Sequence, residues 1–171
     1  MIGRRMIPTA ACALAAVAAA PSPQLAAQTC PSVAAADTTE WRRVPAGNFT
    51  LRLPGSYRGT RMQRMDAAVR SWSAPRGRRV RSEYGSATHV GSGTPIGDPK
   101  LVCDRGVRDA WRMVVYEERG VFGIGYFGLD PSEEGRALVL TAESPRREDL
   151  PELLAIVRSL HWAGRPPFQQ R

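Results

Sequence analysis

The sequence predicts one α+β domain in which an antiparallel β-sheet carries a C-terminal helix on one face. Two observations predict it. Between residues 41 and 142, apolar and polar residues alternate in several short segments, as half-buried strands require. Near the C-terminus, the apolar residues recur at the helical period instead. Strands joined by short turns and followed by one helix indicate an antiparallel sheet with a helix packed on it.

The first half of the domain contains two predicted hairpins. Residues 49–53 alternate as a strand that ends at Pro54-Gly55, and residues 41–44 are a partner strand joined through a turn at 45–47. Residues 68–72 and 79–84 are predicted to pair across the turn Ala74-Pro-Arg-Gly77. Residues 85–99 contain many helix breakers and few apolar side chains, so we expect a long mobile loop there.

The second half of the domain gives the clearest strand signal. Three segments with short turns between them predict an antiparallel meander: residues 111–116, 121–127 and 136–142. A helix follows, because five apolar side chains recur at its period: Leu150, Leu153, Leu154, Val157 and Leu160. Asp149 and Glu152 have the spacing of a capping box, and Pro151 suits the first turn. His161 is expected at the helix end.

The N-terminus has the order of a secretion signal. Two arginines precede an uncharged apolar run from Met6 to Ala20, and small residues follow. We therefore predict a signal peptide at residues 1–27, an irregular arm at 28–40, a single domain at 41–162 and a disordered tail at 163–171. The apolar run is short for a transmembrane helix, so no membrane span is expected after cleavage, and a periplasmic or secreted location follows. A retained anchor is the alternative.

The cysteines agree with export. Cys12 lies in the signal, so Cys30 and Cys103 remain in the mature chain and predict one disulfide in an oxidising compartment. The bridge would close a loop of about seventy residues, worth about 4 kcal/mol in the chain-entropy model. Two free thiols are the alternative. No CxxC motif exists, so no redox dithiol or cysteine zinc site is predicted.

The chain is basic, with a formal net charge of +8 that falls by two with the signal, and Lys100 is its only lysine. Eight arginines and one acid, Asp66, lie between residues 57 and 81. Aromatic side chains interleave with these arginines, a combination that binds polyanions. The predicted anion-binding surface consists of Arg70, Trp72, Arg79, Arg81 and Tyr84. An ordinary solvated sheet surface is the alternative.

Other motifs predict no chemistry. Gly123-Ile-Gly125-Tyr-Phe-Gly128 matches a dinucleotide fingerprint in letters, but it lies in a predicted strand and no helix follows. We expect its glycines to leave room for a neighbouring side chain or the helix. His89 and His161 have no ligand partner at metal spacing, and no G-x-S-x-G elbow exists. No catalytic residue, metal, cofactor or nucleotide is therefore predicted.

The order of elements resembles a known layout. A strand ending in Leu-Pro at residues 48–54, a meander, and a terminal helix through residues 154–162 resemble small exported bacterial domains of unknown function, which are similar in layout to the PsbP-type fold. That resemblance implies a PsbP-like sandwich of sheet and helices over most of residues 41–162. It implies no chemistry, so it assigns no functional residue.

Three functions stay open at this point. The first is a non-catalytic envelope module that binds an anionic envelope component or another protein. The second is a small periplasmic hydrolase-like enzyme with His89 as the base, which requires His89 within about 3 Å of a nucleophile. The third is a purely structural accessory domain.

Overall fold

The computed structural model describes residues 37–63, 67–90, 96, 98, 101–106 and 110–163, which form an α+β fold. Its helix is α1 (Leu150–Arg158). The strands are β1 (Arg42–Pro45), β2 (Phe49–Leu53), β3 (Arg58–Gln63), β4 (Ala67–Ser73), β5 (Arg79–Ser86), β6 (Val102–Arg105), β7 (Trp111–Glu118), β8 (Val121–Leu129), β9 (Arg136–Ser144) and β10 (His161–Trp162).

The strands form two antiparallel sheets. The large sheet has the order β3-β4-β5-β9-β8-β7-β6, and a small sheet has the order β1-β2-β10. The predicted meander is confirmed as β7, β8 and β9, and both predicted hairpins are confirmed as β1–β2 and β4–β5. The α+β prediction with an antiparallel sheet and a C-terminal helix is therefore confirmed.

Three of the described strands were not predicted: β3, β6 and the two-residue β10, which lies where the end of the helix was expected. β3 and β6 lie at the edges of the large sheet, where a strand pairs on one side only. β3 contains Arg58-Gly-Thr-Arg-Met-Gln63, which has no apolar alternation, and β6 has only four residues with a register shift after Val102. An edge strand needs little apolar surface, so hydropathy alternation gives a weak signal for it.

The main core lies between the large sheet, the helix and the small sheet. Helix α1 packs against β8, β9 and β2. Leu153, Leu154 and Val157 of the predicted stripe are buried on this side, and Leu160 follows them into the core. From the sheets, the core takes Phe49, Leu51, Leu53, Trp72, Val80, Met113, Ile124, Tyr126, Leu138 and Leu140. We call the side of the large sheet that faces this core the inner face.

The helix boundaries differ from the sequence prediction. Asp149 and Glu152 form no capping box: Asp149 Oδ2 accepts from Ser144 Oγ at 2.6 Å, and Glu152 binds Tyr57 and Arg78. Tertiary partners thus take the carboxylates that could have capped the helix. His161 is also not at the helix end, since it begins strand β10 and is exposed.

The opposite side of the large sheet, the outer face, carries a second apolar cluster at its β7–β9 end. There Val114, Tyr116 and Val139 pack with two residues of the segment that follows β5, Val90 and Ile96. Ile96 is 2% exposed. The expectation of a loop across 85–99 is therefore wrong at its start, since β5 continues to Ser86. Further along the same segment, Val90 and Ile96 are buried, which the sequence pattern did not predict. Residues 91–95, 97 and 99 lie outside the described residues.

The glycines of β8 make room for side chains, as predicted. A Cβ on Gly123 would lie 2.2 Å from Tyr116 Cζ, and one on Gly125 would lie 2.5 Å from Ile96 Cγ1. Tyr116, Gly123 and Glu143 are directly opposite one another on β7, β8 and β9. The Tyr116 ring crosses the glycine, and its hydroxyl donates to Glu143 Oε1 at 2.8 Å.

Three terminal predictions fall largely outside the described residues. The signal peptide and Cys30 lie outside them, as do the arm up to residue 36 and the tail from residue 164. Cys103 is half-buried in β6 against the main core. The Cys30–Cys103 disulfide therefore stays a prediction. Within the described ranges, no helix is long and apolar enough to cross a lipid bilayer.

Candidate functional site

The five residues of the predicted anion-binding surface lie on two faces of the sheet. Arg79 and Arg81 are exposed on the outer face, whereas Arg70, Trp72 and Tyr84 lie on the inner face. The register explains the division, because Trp72 is opposite Val80 and Ser73 is opposite Arg79. Successive side chains of a strand alternate between faces. The structure therefore does not bring the five together.

The inner-face members hold the two sheets together. Trp72 is 4% exposed, and its indole covers Gly59, where a Cβ would lie 2.8 Å from Trp72 Cδ1. Arg70 Nη1 donates to the Pro45 carbonyl at 2.7 Å, which links β4 to the β1–β2 hairpin. Trp72 therefore presents no surface to a polyanion, and the half-buried Arg70 is engaged by the Pro45 carbonyl.

Tyr84 belongs to a polar group that we call the Tyr84 cluster, formed with Asn48, Asp130 and Glu133. The Tyr84 hydroxyl donates to Asp130 Oδ2 at 2.6 Å, and Glu133 Oε2 lies 3.1 Å from it. Asn48 Nδ2 donates to Asp130 Oδ2 and to Glu133 Oε1, each at 3.2 Å. The cluster joins the β1–β2 hairpin, β5 and the turn after β8.

The electrostatics of the Tyr84 cluster favour a structural role. Burial alone would raise the pKa of Asp130, but hydrogen bonds from Ser132, Tyr84 and Asn48 outweigh it and lower that pKa to about 2. Burial and the neighbouring carboxylates raise the pKa of Tyr84. At neutral pH, Asp130 is thus a stable carboxylate and Tyr84 a protonated phenol, so neither is poised to exchange a proton.

Asp130 gives a prediction for acid unfolding. Its pKa is about 2 when folded and 3.8 normally, so its stabilising contribution is complete above pH 4 and is lost as the pH falls towards 2. We expect Asp130→Asn to cost about 2 kcal/mol at pH 7, because hydrogen bonds to a charged acceptor are lost. The difference between mutant and wild type should shrink below pH 4 in urea unfolding. A pH-independent difference would contradict this.

A second group of polar side chains, distinct from the Tyr84 cluster, lies on the outer face of strands β3, β4 and β5. Arg58, Ser73 and Arg79 are directly opposite one another on β3, β4 and β5, and all three are exposed. Arg81 lies two residues along β5 on the same face and is 3.5 Å from Glu83. We call Arg58, Ser73, Arg79 and Arg81 the arginine face.

The cations of the arginine face are weakly paired. Among the described residues, no carboxylate lies within 4 Å of the Arg79 or Arg58 guanidinium; Arg58 Nη1 donates to the Gly55 carbonyl at 2.7 Å. Glu143, directly opposite Arg79 on β9, is bonded to Tyr116 instead. Two members, Arg58 and Ser73, were missing from the predicted surface. The alternation of β4 could have indicated Ser73, since it follows the buried Trp72.

His89 contacts the hydroxyl of Thr88, which is exposed to solvent. Its Nδ1 is 3.0 Å from Thr88 Oγ1, which is 2.9 Å from Ser86 Oγ. Thr88 and His89 are exposed neighbours in a turn. Nucleophile activation needs a base that is oriented by a third group, and no carboxylate hydrogen bond to His89 is found within the described part of the chain. This contact supports turn geometry more than catalysis.

The described residues show neither a metal site nor the backbone geometry of a dinucleotide site. Across the described ranges, no group of three His, Cys, Asp or Glu side chains is placed to hold a metal ion. Gly123, Gly125 and Gly128 lie within the continuous strand β8, which confirms the strand assignment. A dinucleotide fingerprint instead requires a strand that turns into a helix.

The fold and this site define an α+β domain with a cationic sheet face. No family model, curated protein or solved structure matches the chain. The interpretation of the site therefore depends on its own geometry and charge.

Proposed function

We propose that this chain is a non-catalytic exported module that binds an anionic component of the cell envelope through the arginine face. One observation carries the proposal: three exposed guanidinium groups from β3 and β5 share one face of the sheet, and Arg58 and Arg79 have no carboxylate partner within the described residues. Arginine is weakly hydrated and binds oxyanions through two N–H groups at once. Unpaired guanidinium groups are therefore available to a ligand.

The charge of the chain supports the same partner. The formal net charge, +8 for the whole chain and +6 without the two arginines of the predicted signal, attracts anionic surfaces over distances set by the ionic strength. Trp72 does not stack on the ligand in this proposal, because it lies in the core. Binding is thus electrostatic and hydrogen-bonded, and we expect it to weaken strongly with salt.

The cellular setting of the proposal comes from the sequence. A signal peptide at residues 1–27, a periplasmic or secreted location and a Cys30–Cys103 disulfide are parts of it. So is a PsbP-like sandwich, which the antiparallel sheet with its C-terminal helix would suit. An envelope location would place the arginine face among the acidic polymers and lipids found there.

The test compares two variants of equal charge. The first is Arg58→Gln/Arg79→Gln/Arg81→Gln. The second, a control, is Arg43→Gln/Arg119→Gln/Arg158→Gln, whose three exposed arginines lie on β1, the β7–β8 turn and α1. Three surface pairs worth about 0.5 kcal/mol each predict about a tenfold loss of affinity in the first variant. Titration against dextran sulfate and alginate, at low and high salt, measures it.

Equal losses in the two variants would contradict the proposal, since they would show that total charge and not the arginine face controls binding. Absence of binding by the wild type to either polymer at low salt would also contradict it. Thermal unfolding of both variants checks that the fold is retained.

A further inference from the structure

The row of Arg58, Ser73 and Arg79 places two guanidinium groups and a hydroxyl on one face of the sheet. The three residues lie side by side on successive strands. Neighbouring strands are about 4.8 Å apart, so the two arginine backbones are separated by about 9.5 Å with the serine hydroxyl between them. Two long guanidinium side chains can therefore converge above Ser73 from opposite sides.

A tetrahedral oxyanion fits these donors better than a carboxylate. A carboxylate has two oxygens in one plane, and a single bidentate arginine engages both. A phosphate or sulfate ester offers three terminal oxygens in different directions, which can accept from two guanidinium groups and a hydroxyl together. Of the five N–H donors of Arg58, only Nη1 has a hydrogen bond within the described residues.

The surroundings of the row favour a narrow ligand over a flat one. Glu83 lies on the same face two rows away, opposite Val69, and Glu143 lies next to Arg79. A flat anionic bilayer would press lipid phosphates against these carboxylates, which is unfavourable. A polymer strand that lies along the row across β3, β4 and β5 avoids Glu83, and it ends before β9, the strand of Glu143.

We infer that the arginine face binds a phosphate or sulfate ester carried by a polysaccharide, held by Arg58, Ser73 and Arg79. This inference rests on the proposed function and names the ligand chemistry. It assigns Ser73 a direct hydrogen bond to the ester oxygen. Arg79 supplies a fork of N–H groups that a lysine cannot replace.

The experiment measures affinity for dextran sulfate, phosphorylated dextran and alginate of matched length and charge density. We expect wild type to bind both esters at least about fivefold more tightly than alginate. Ser73→Ala and Arg79→Lys should each lose about threefold or more for the esters and little for alginate. Ser71→Ala, on the same strand and face, is the matched control and should change neither affinity.

The outcomes separate the two proposals. If the triple arginine variant loses binding but the esters and alginate bind equally, the module still binds anions and the ester inference is wrong. If no polymer binds, both proposals fail. If vesicles of phosphatidylglycerol bind as tightly as the polymers with the same response to Ser73→Ala, the polysaccharide source is wrong. Circular dichroism confirms folding of each variant.

Discussion

Replacing Trp162 by alanine is expected to lower the free energy of unfolding by about 3–5 kcal/mol. Trp162 is 3% exposed, although it lies close to the C-terminus. Its ring centroid is 5.9 Å from that of Phe49 in an edge-to-face arrangement and 6.3 Å from that of Tyr84. It also pairs with Phe49 in the small sheet. Its removal leaves a cavity and loses aromatic contacts at the junction of both sheets.

The measurement is urea unfolding of the purified protein, followed by tryptophan fluorescence and by circular dichroism. His161→Ala is the control, because His161 is the exposed neighbour on the same two-residue strand. We expect it to cost less than about 0.5 kcal/mol. Similar losses in both variants would show that the strand backbone and not the buried ring provides the stability.

The second large effect is expected at Gly123. Gly123→Ala places a Cβ about 2.2 Å from Tyr116 Cζ, and the Tyr116 ring is 5% exposed with its hydroxyl bonded to Glu143. The ring cannot move without losing that hydrogen bond and its packing. We expect a loss of about 3 kcal/mol, at the upper end for overpacking.

A double-mutant cycle tests the cause. In a Tyr116→Ala background, Gly123→Ala should cost less than about 0.5 kcal/mol, because the clashing ring is absent. Gly55→Ala is the matched control, since a Cβ there meets no atom within 4 Å. Additive costs of the two substitutions would show that backbone freedom, and not the ring, requires the glycine.

The parts of the fold that bury a complete apolar pattern could be predicted. Alternation in residues 111–142 gave the meander, and the stripe of Leu153, Leu154 and Val157 gave the helix, because each faces the core. The ends of α1 could not be predicted in this way. Asp149 and Glu152 have capping spacing, but Ser144, Arg78 and Tyr57 bind them from distant parts of the chain.

The candidate site could be predicted only in part. Alternation alone places Tyr84 on the opposite face of the strand from Arg79 and Arg81, because Tyr84 is an odd number of residues away from each of them. It does not show whether Arg70 faces the same side as Arg79, because that depends on the register across the β4–β5 turn. Ser73 opposite Arg79 fixes the answer, and only the folded pairing reveals it.

The position of the Tyr116 ring over Gly123 has a consequence for the arginine face. The Tyr116 hydroxyl binds the carboxylate of Glu143, the residue directly opposite Arg79 on β9, and no ion pair within 4 Å joins Glu143 to Arg79. In the proposed function, the freedom of Arg79 to bind an anion would therefore depend partly on β8, where the absence of a side chain at Gly123 allows the Tyr116 phenol to reach Glu143 two strands away.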